Sequence, residues 1–165
     1  PWNRLFILRR YSFVIFSIVF ASQCQEPKRF SALREPGPTQ GILYLLRPHL
    51  NPPVLRSYRI TLVYYEGDFR QGIYREVSTL RFMNGQFAAF ALTPGFYALK
   101  LENDPPRILR IAPGKTLFYA LDIYDTRLWR KKARLIQLDR EEALSELLIH
   151  DRLLLHPEQE GGTGP

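Results

Sequence analysis

From Gly41 onward, apolar residues recur at every second position in short runs separated by Pro, Gly and Asn. That period predicts β-strands with one face in a core and the other in water. Residues 42–47 form a first strand, closed by Pro48 and followed by the loop His49-Leu-Asn-Pro-Pro53. Residues 58–65 place Ile60, Leu62 and Tyr64 on one face and Arg59 and Thr61 on the other. A third strand, 73–82, runs into Met83-Asn84-Gly85-Gln86. Asn-Gly predicts a type I′ hairpin, because both central residues need positive φ, and 87–92 is then the partner strand. Thr93-Pro94-Gly95 turns into a strand over 96–102 with Tyr97, Leu99 and Leu101 inward, broken by Asn103-Asp-Pro-Pro106. Strands at 107–112 and 116–124 flank a second Pro-Gly turn at Pro113-Gly114, and Leu117, Tyr119, Leu121 and Ile123 share a face. A last strand spans 133–138.

The period then switches. Asp139-Arg-Glu-Glu142 is a capping box, in which the Asp139 carboxylate accepts from the amide three residues on and Glu142 reaches back. Ala143, Leu144, Leu147, Leu148 and Leu155 follow at helical spacing, and Pro157 bars continuation, so a helix over 140–153 is predicted, docked by its leucine stripe. Strands at regular spacing without intervening helices predict an all-β fold: an antiparallel β-sandwich of seven or eight strands with one C-terminal α-helix. Pro94-Gly95-Phe96-Tyr97-Ala98-Leu99 is similar to Pro113-Gly114 followed by Phe118-Tyr119-Ala120-Leu121. The likeness reads either as a remnant of duplication or as ordinary turn-plus-strand vocabulary, which the two-residue difference in spacing favours.

Ahead of the β region the pattern is different again. Arg9 and Arg10 precede a charge-free run, Tyr11-Ser-Phe-Val-Ile-Phe-Ser-Ile-Val-Phe-Ala21, with Ser22-Gln23-Cys24 behind it. A basic region, an apolar core and small residues form the layout of an export signal. The run is too short for the roughly 20 apolar residues that a bilayer core asks of a helix. Cys24 at the junction predicts a lipid-modified N-terminus after removal of residues 1–23. Ala21 and Ser22 suit a lipoprotein cleavage zone, whereas Gln23 departs from the small residue usual before the cysteine. Cleavage after Ala21 to give a secreted protein, and an uncleaved anchor, are the other two readings. Residues 24–40, with Pro27, Pro36 and Pro38, read as a lipid-anchored cysteine and Pro-rich tether. The sandwich with its helix then occupies 41–156, and 157–165 is a disordered tail.

The formal net charge is +7, but residues 1–23 hold Arg4, Arg9 and Arg10 and no acid, so the processed chain carries +4. So mild an excess argues against nucleic acid as a partner. One cysteine among 165 residues excludes an internal disulfide, leaving the core to hold an exported domain.

Residues that could carry chemistry are few. His49, His150 and His156 have no metal-ligand spacing, and no metal or other cofactor is expected. No Gly-x-Ser-x-Gly elbow occurs, and Cys24 is committed to lipid. Glu66 with Asp68, and Asp122 with Asp125, sit at turn and strand ends where carboxylates are ordinarily solvated. No catalytic residue is therefore assigned. The densest charge surrounds Trp129, with Arg127, Arg130, Lys131, Lys132 and Arg134. Arg127, Trp129, Arg130, Lys131 and Lys132 make a candidate contact for anionic lipid or glycan, since Trp favours membrane interfaces. The plainer reading is a solvated loop whose aliphatic stems cover the indole. Tyr44-x-x-Arg47-Pro48 is likewise a ligand rim or, more cheaply, strand-end packing.

Gly41-Ile-Leu-Tyr44-Leu-Leu-Arg47-Pro48, Asn84-Gly85 leading to Phe87, Pro94-Gly95-x-Tyr97, and Pro113-Gly114-Lys115-Thr116 with Tyr119 occur in that order. Together they resemble the small β-sandwich of uncharacterised bacterial lipoproteins, a domain of unknown function akin to PEGA-type and transthyretin-like sandwiches. The resemblance covers about residues 41–148 and implies a lipoprotein signal and no established activity. The expectation is a non-enzymatic, lipid-anchored cell-envelope module, binding or structural in role. It would be held to a membrane through Cys24 at the periplasmic face of the outer membrane, with an envelope protein, glycan or lipid as partner. The alternatives are an exported enzyme of unrecognised type and a structural subunit of an envelope complex.

Overall fold

The computed structural model describes residues 29–50, 56–102, 104–124, 132–149 and 154–155. The expectations for the export signal, Cys24 and the C-terminal tail lie outside the described residues, as do Arg127, Trp129, Arg130 and Lys131.

The period-two runs form β1 (Gly41–Arg47), β2 (Tyr58–Tyr65), β3 (Tyr74–Phe82), β4 (Gln86–Leu92), β5 (Gly95–Leu101), β6 (Arg107–Ile111), β7 (Thr116–Tyr124) and β8 (Lys132–Leu138). A helix, α1 (Arg140–Ile149), and a two-residue strand, β9 (Leu154–Leu155), follow. The strands make a sandwich of two sheets, one ordered β8-β7-β1-β4-β9 and the other β3-β2-β5-β6. Pairing is antiparallel except for β1 with β7 and β4 with β9, which run parallel. The capping box forms as read: the Glu142 amide donates to Asp139 Oδ1 at 2.8 Å, and the Asp139 amide to Glu142 Oε2 at 3.2 Å. Leu155, read as part of the helical stripe, instead belongs to β9 beside Phe87.

The Asn-Gly turn is a correction to the sequence reading. Gly85 has the positive φ (72°) that the dipeptide promises. Yet β3 and β4 do not pair, because they lie in different sheets. Asn84 Oδ1 accepts from the Leu50 amide at 3.0 Å, and Asn84 Nδ2 donates to the Leu50 carbonyl at 3.2 Å. The Gly85 amide donates to the Arg47 carbonyl at 3.1 Å. The turn is thus fastened to the end of β1 and delivers the chain to the other sheet. The turns at 93–95 and 112–115 also cross between sheets, while β2–β3, β5–β6 and β7–β8 are consecutive antiparallel pairs within one sheet.

Between the sheets lies a core that includes Leu43, Leu45, Ile60, Leu62, Phe82, Phe90, Leu99 and Leu121. The simple expectation of one wet face fails for the five-stranded sheet, whose outer face is a second core. Ile42, Tyr44, Leu46, Phe87, Phe118 and Ala120 pack there with Ala143 and Leu147 of α1. All seven residues of β1 are buried as a result. Phe30 and Leu33, in the segment read as a tether, join this second core. Phe30 meets Phe87 edge-on at 5.8 Å, and the Arg34 amide donates to the Tyr44 hydroxyl at 2.7 Å. From Phe30 the chain is therefore a strap laid on the sheet, because its apolar side chains reach surface that α1 leaves open.

Two core tyrosines carry a pH consequence. Burial pushes the Tyr97 hydroxyl up from its ordinary value; its hydrogen bond to Thr93 pulls the other way, Tyr64 adds to the rise and Arg75 opposes it. Burial likewise raises Tyr119, against a smaller opposing effect of Arg107. A phenol that holds its proton more tightly when folded contributes stability that is complete below the unfolded pKa of about 10 and is lost as pH rises through the folded one. The urea midpoint should accordingly fall above about pH 10. The fall should be shallower in Tyr97→Phe and in Tyr119→Phe, and a flat profile in the parent chain would refute the account.

Candidate functional site

The solvent face of the four-stranded sheet carries the strongest candidate. Along β2, Tyr58, Ile60, Leu62 and Tyr64 point to the core, so Arg59, Thr61, Val63 and Tyr65 point outward. Register then aligns one outward residue from each strand: Tyr74 opposite Tyr65, Tyr65 opposite Phe96, and Phe96 opposite Arg110. At about 4.8 Å between strands, this row of four spans roughly 14 Å.

A short 3-10 turn, Phe69–Gln71, is folded onto the row. Asp68 caps it by accepting from the Arg70 amide at 3.0 Å, and Gly72 closes it in the left-handed region at φ 72°. The turn sets Phe69 5.3 Å from Phe96 and 6.4 Å from Tyr65, while Tyr65 and Tyr74 meet edge-on at 5.9 Å. Such tilted and edge-on pairs are the favoured aromatic geometries. Under this cluster, in the next row, lie Val63 (2% exposed) and Ala98 (0%), which belong to neither core and are shielded on the outer face. Tyr74 remains 53% exposed and Ile108, beside Ala98 on β6, 40%.

Cations frame the rings. Lys100 Nζ stands 3.6 Å from the Tyr74 ring centroid, and the Arg70 guanidinium 5.8 Å from that of Phe69. By alternation Arg59, Arg81, Lys100 and Arg110 face outward, against the acids Glu76 and Glu102. Glu102 is already 3.9 Å from Arg59, an exposed pair of small energetic weight. The face is aromatic, partly apolar and net positive. It can stack on planar groups, bury aliphatic ones and attract carboxylates.

The other sequence-derived features fall elsewhere. Of the candidate contact Arg127, Trp129, Arg130, Lys131 and Lys132, the described residues include Lys132, which opens β8, exposed, opposite Tyr124. Next to it the Arg134 Nε donates to Asp122 at 2.8 Å, and its guanidinium lies 5.1 Å from the Tyr124 centroid. This tip belongs to the five-stranded sheet, away from the aromatic row. The carboxylates of Asp68 and Asp122, read as solvated ends, thus serve a turn cap and an ion pair. Arg47, a candidate ligand rim, is instead 0% exposed. Its Nη1 donates to the Arg56 and Phe82 carbonyls at 2.7 and 2.6 Å, and burial lowers its pKa, partly offset by Tyr58. A separate groove of about 570 Å³ runs between the strap and the start of β7, with Arg34, Lys115 and Arg140 on its walls. Two carboxylates also line it, Glu35 and Asp139, and Asp139 is committed to the helix cap.

Among the described residues, no group of three or more His, Cys, Asp or Glu could hold a metal ion, and no helix is long and apolar enough to cross a membrane. No family model, curated protein or solved structure matches the chain. The described residues define a structural class: a two-sheet sandwich of eight principal strands, with the two-residue β9 added at one edge, one α-helix and an aromatic, cationic sheet face.

The sequence reading missed this face because its members are far apart in the chain. The available signal was the outward set of aromatic residues, Tyr65, Tyr74 and Phe96, at positions where alternation calls for polar ones.

Proposed function

We propose that the chain is a non-enzymatic binding module of the bacterial cell envelope, held to a membrane by lipid on Cys24 and presenting the face of its four-stranded sheet to a protein partner. The observation that carries the binding role is the Tyr74–Tyr65–Phe96–Arg110 row with its flanking cations. Exposed Tyr and Arg around an apolar centre make the composition that concentrates binding energy in protein interfaces. The anchoring half rests on the signal layout before Cys24 and on the resemblance to lipoprotein sandwiches. Lipid on the cysteine would give stable attachment where two acyl chains are buried together. With the strap starting at Phe30, only the few residues between Cys24 and the fold would separate the domain from the bilayer, and the sandwich would sit close to the surface.

The test places a photoreactive amino acid at position 74 and, as control, at Ser145, an exposed position on α1 on the far side of the sandwich. Irradiation of cells should yield a discrete crosslinked protein from position 74 and none from position 145. In the same cells, Cys24→Ser should move the chain from the membrane to the soluble fraction. Equal crosslinking at both positions would remove the binding face, and a Cys24→Ser chain that stays in the membrane would remove the anchor.

A further inference from the structure

An edge of the same sheet that is unpaired among the described residues narrows the class of partner. β6 is the terminal strand of its sheet, paired on one side with β5 in an unbroken register from Gly95 opposite Ile111 to Leu99 opposite Arg107. The opposite edge, β3, is interrupted: its register against β2 shifts between Leu62 and Val63. Such a bulge twists an edge away from further pairing, whereas a regular edge is a template for another strand. Pro105-Pro106 before β6 and Pro113 after it confine that template to a short segment. On the outer face β6 shows Ile108 and Arg110, the latter at the end of the aromatic row.

We infer that an extended acidic segment of a partner protein adds to the sheet as a strand along β6, placing a carboxylate beside Arg110 and an apolar side chain beside Ile108. This rests on the binding reading above and specifies its occupant. Main-chain hydrogen bonds to the β6 edge supply the attachment, and alternate side chains supply the selection. A residue opposite Arg110 becomes the fifth member of the row that runs through Phe96, Tyr65 and Tyr74. Opposite charges directly across a strand pair attract, while like charges repel, so an acidic strand is accepted and a basic one rejected. The arginine that deters edge-to-edge pairing of copies of this chain, since copies would set Arg110 among like charges, becomes the selective contact for the acidic partner.

The test uses the full chain and three synthetic peptides: one alternating Glu with Val, its counterpart alternating Lys with Val, and the Glu peptide N-methylated at alternate residues. Binding is read by titration, and strand addition by amide hydrogen exchange. The Glu peptide should bind at least about tenfold more tightly than either other peptide and should slow exchange of β6 amides while leaving β3 amides unchanged. Arg110→Glu should reverse the preference between the Glu and Lys peptides, an outcome that loss of folding cannot imitate. Equal binding of the N-methylated peptide would overturn strand addition, leaving only charge attraction to the face. Failure of the Glu peptide alongside a position-74 crosslink in cells would overturn this inference and keep the binding module; failure of both would remove both.

Discussion

Replacing Arg47 by Ala should cost about 3 kcal/mol of folding stability and lower the melting temperature by roughly 10 °C. The residue lies at the C-terminal end of β1, wholly buried, where the chain leaves one sheet for the other. Its Nη1 serves two carbonyls at once, Arg56 ahead of β2 and Phe82 at the end of β3. The guanidinium lies 5.1 Å from the centre of the Tyr58 ring. Charge-assisted hydrogen bonds are worth about 1.5–3 kcal/mol each, and the truncated side chain would leave a cavity as well as two carbonyls without their donor. Relief of the buried charge offsets part of that loss, which keeps the figure below the sum of the two bonds. Arg47→Lys retains a cation but not a planar fork able to reach both carbonyls while lying under a ring, and should fall between. Tyr58→Phe is the control: it keeps the ring and removes a buried hydroxyl that has no hydrogen-bond partner among the described residues, so stability should be nearly unchanged. Urea denaturation of the four proteins decides the matter. An Arg47→Ala chain within about 0.5 kcal/mol of the parent would show that the loop and hairpin hold without the guanidinium.

The second large effect is expected at Gly41→Val, about 2–3 kcal/mol, for a steric reason. Gly41 opens β1 beside the crossing from β6 to β7. A Cβ there would stand 2.6 Å from the Ala112 carbonyl oxygen, 2.6 Å from Ile111 Cγ2 and 3.1 Å from the Lys115 carbonyl oxygen. Two of these are backbone atoms, and they cannot step aside. The Ile42 amide donates to the Lys115 carbonyl at 2.9 Å, and the Gly114 amide to the Gln40 carbonyl at 2.9 Å, so strand and turn are clamped to each other. Any side chain must part them and disturb the parallel register of Ile42 with Thr116. Gly114→Ala is the comparison. It meets no atom within 4 Å but sits at φ 67°, so it should show only the smaller cost of a left-handed residue. Equal losses at the two positions would mean that conformational freedom, not close approach, explains Gly41.

The Gly41 clamp and the Arg47 lock bracket the same strand, and β1 is where local pattern says least about its surroundings. Six of its residues were legible as a strand from their composition, yet nothing within it indicates burial on both faces. That depends on Phe30, Leu33, Ala143 and Leu147, which approach from segments before and far behind it. The aromatic row is similar. Tyr65, Tyr74 and Phe96 each lie in a predicted strand, but only the pairing of β2 with both β3 and β5 makes them neighbours. The Trp129 cluster was conspicuous for the opposite reason, since its charges are contiguous in the chain; of its members the described residues include Lys132 and Arg134.

What the amino-acid sequence determined by itself is the set of properties decided over a few residues. The strands follow from period two, the helix start from Asp139 and Glu142 capping each other, and the positive φ of Gly85 from its need for no Cβ. Tertiary structure alone decided which strands are neighbours, whether a turn joins strands of one sheet or of two, and which outward faces stay wet. The Asn84-Gly85 dipeptide specifies a reversal of the chain, but Leu50 and Arg47, more than thirty residues earlier, select the sheet it enters. Dihedral preferences and caps act within a turn or two, whereas strand order is settled by which apolar faces can bury one another, a property that no short stretch of the chain carries.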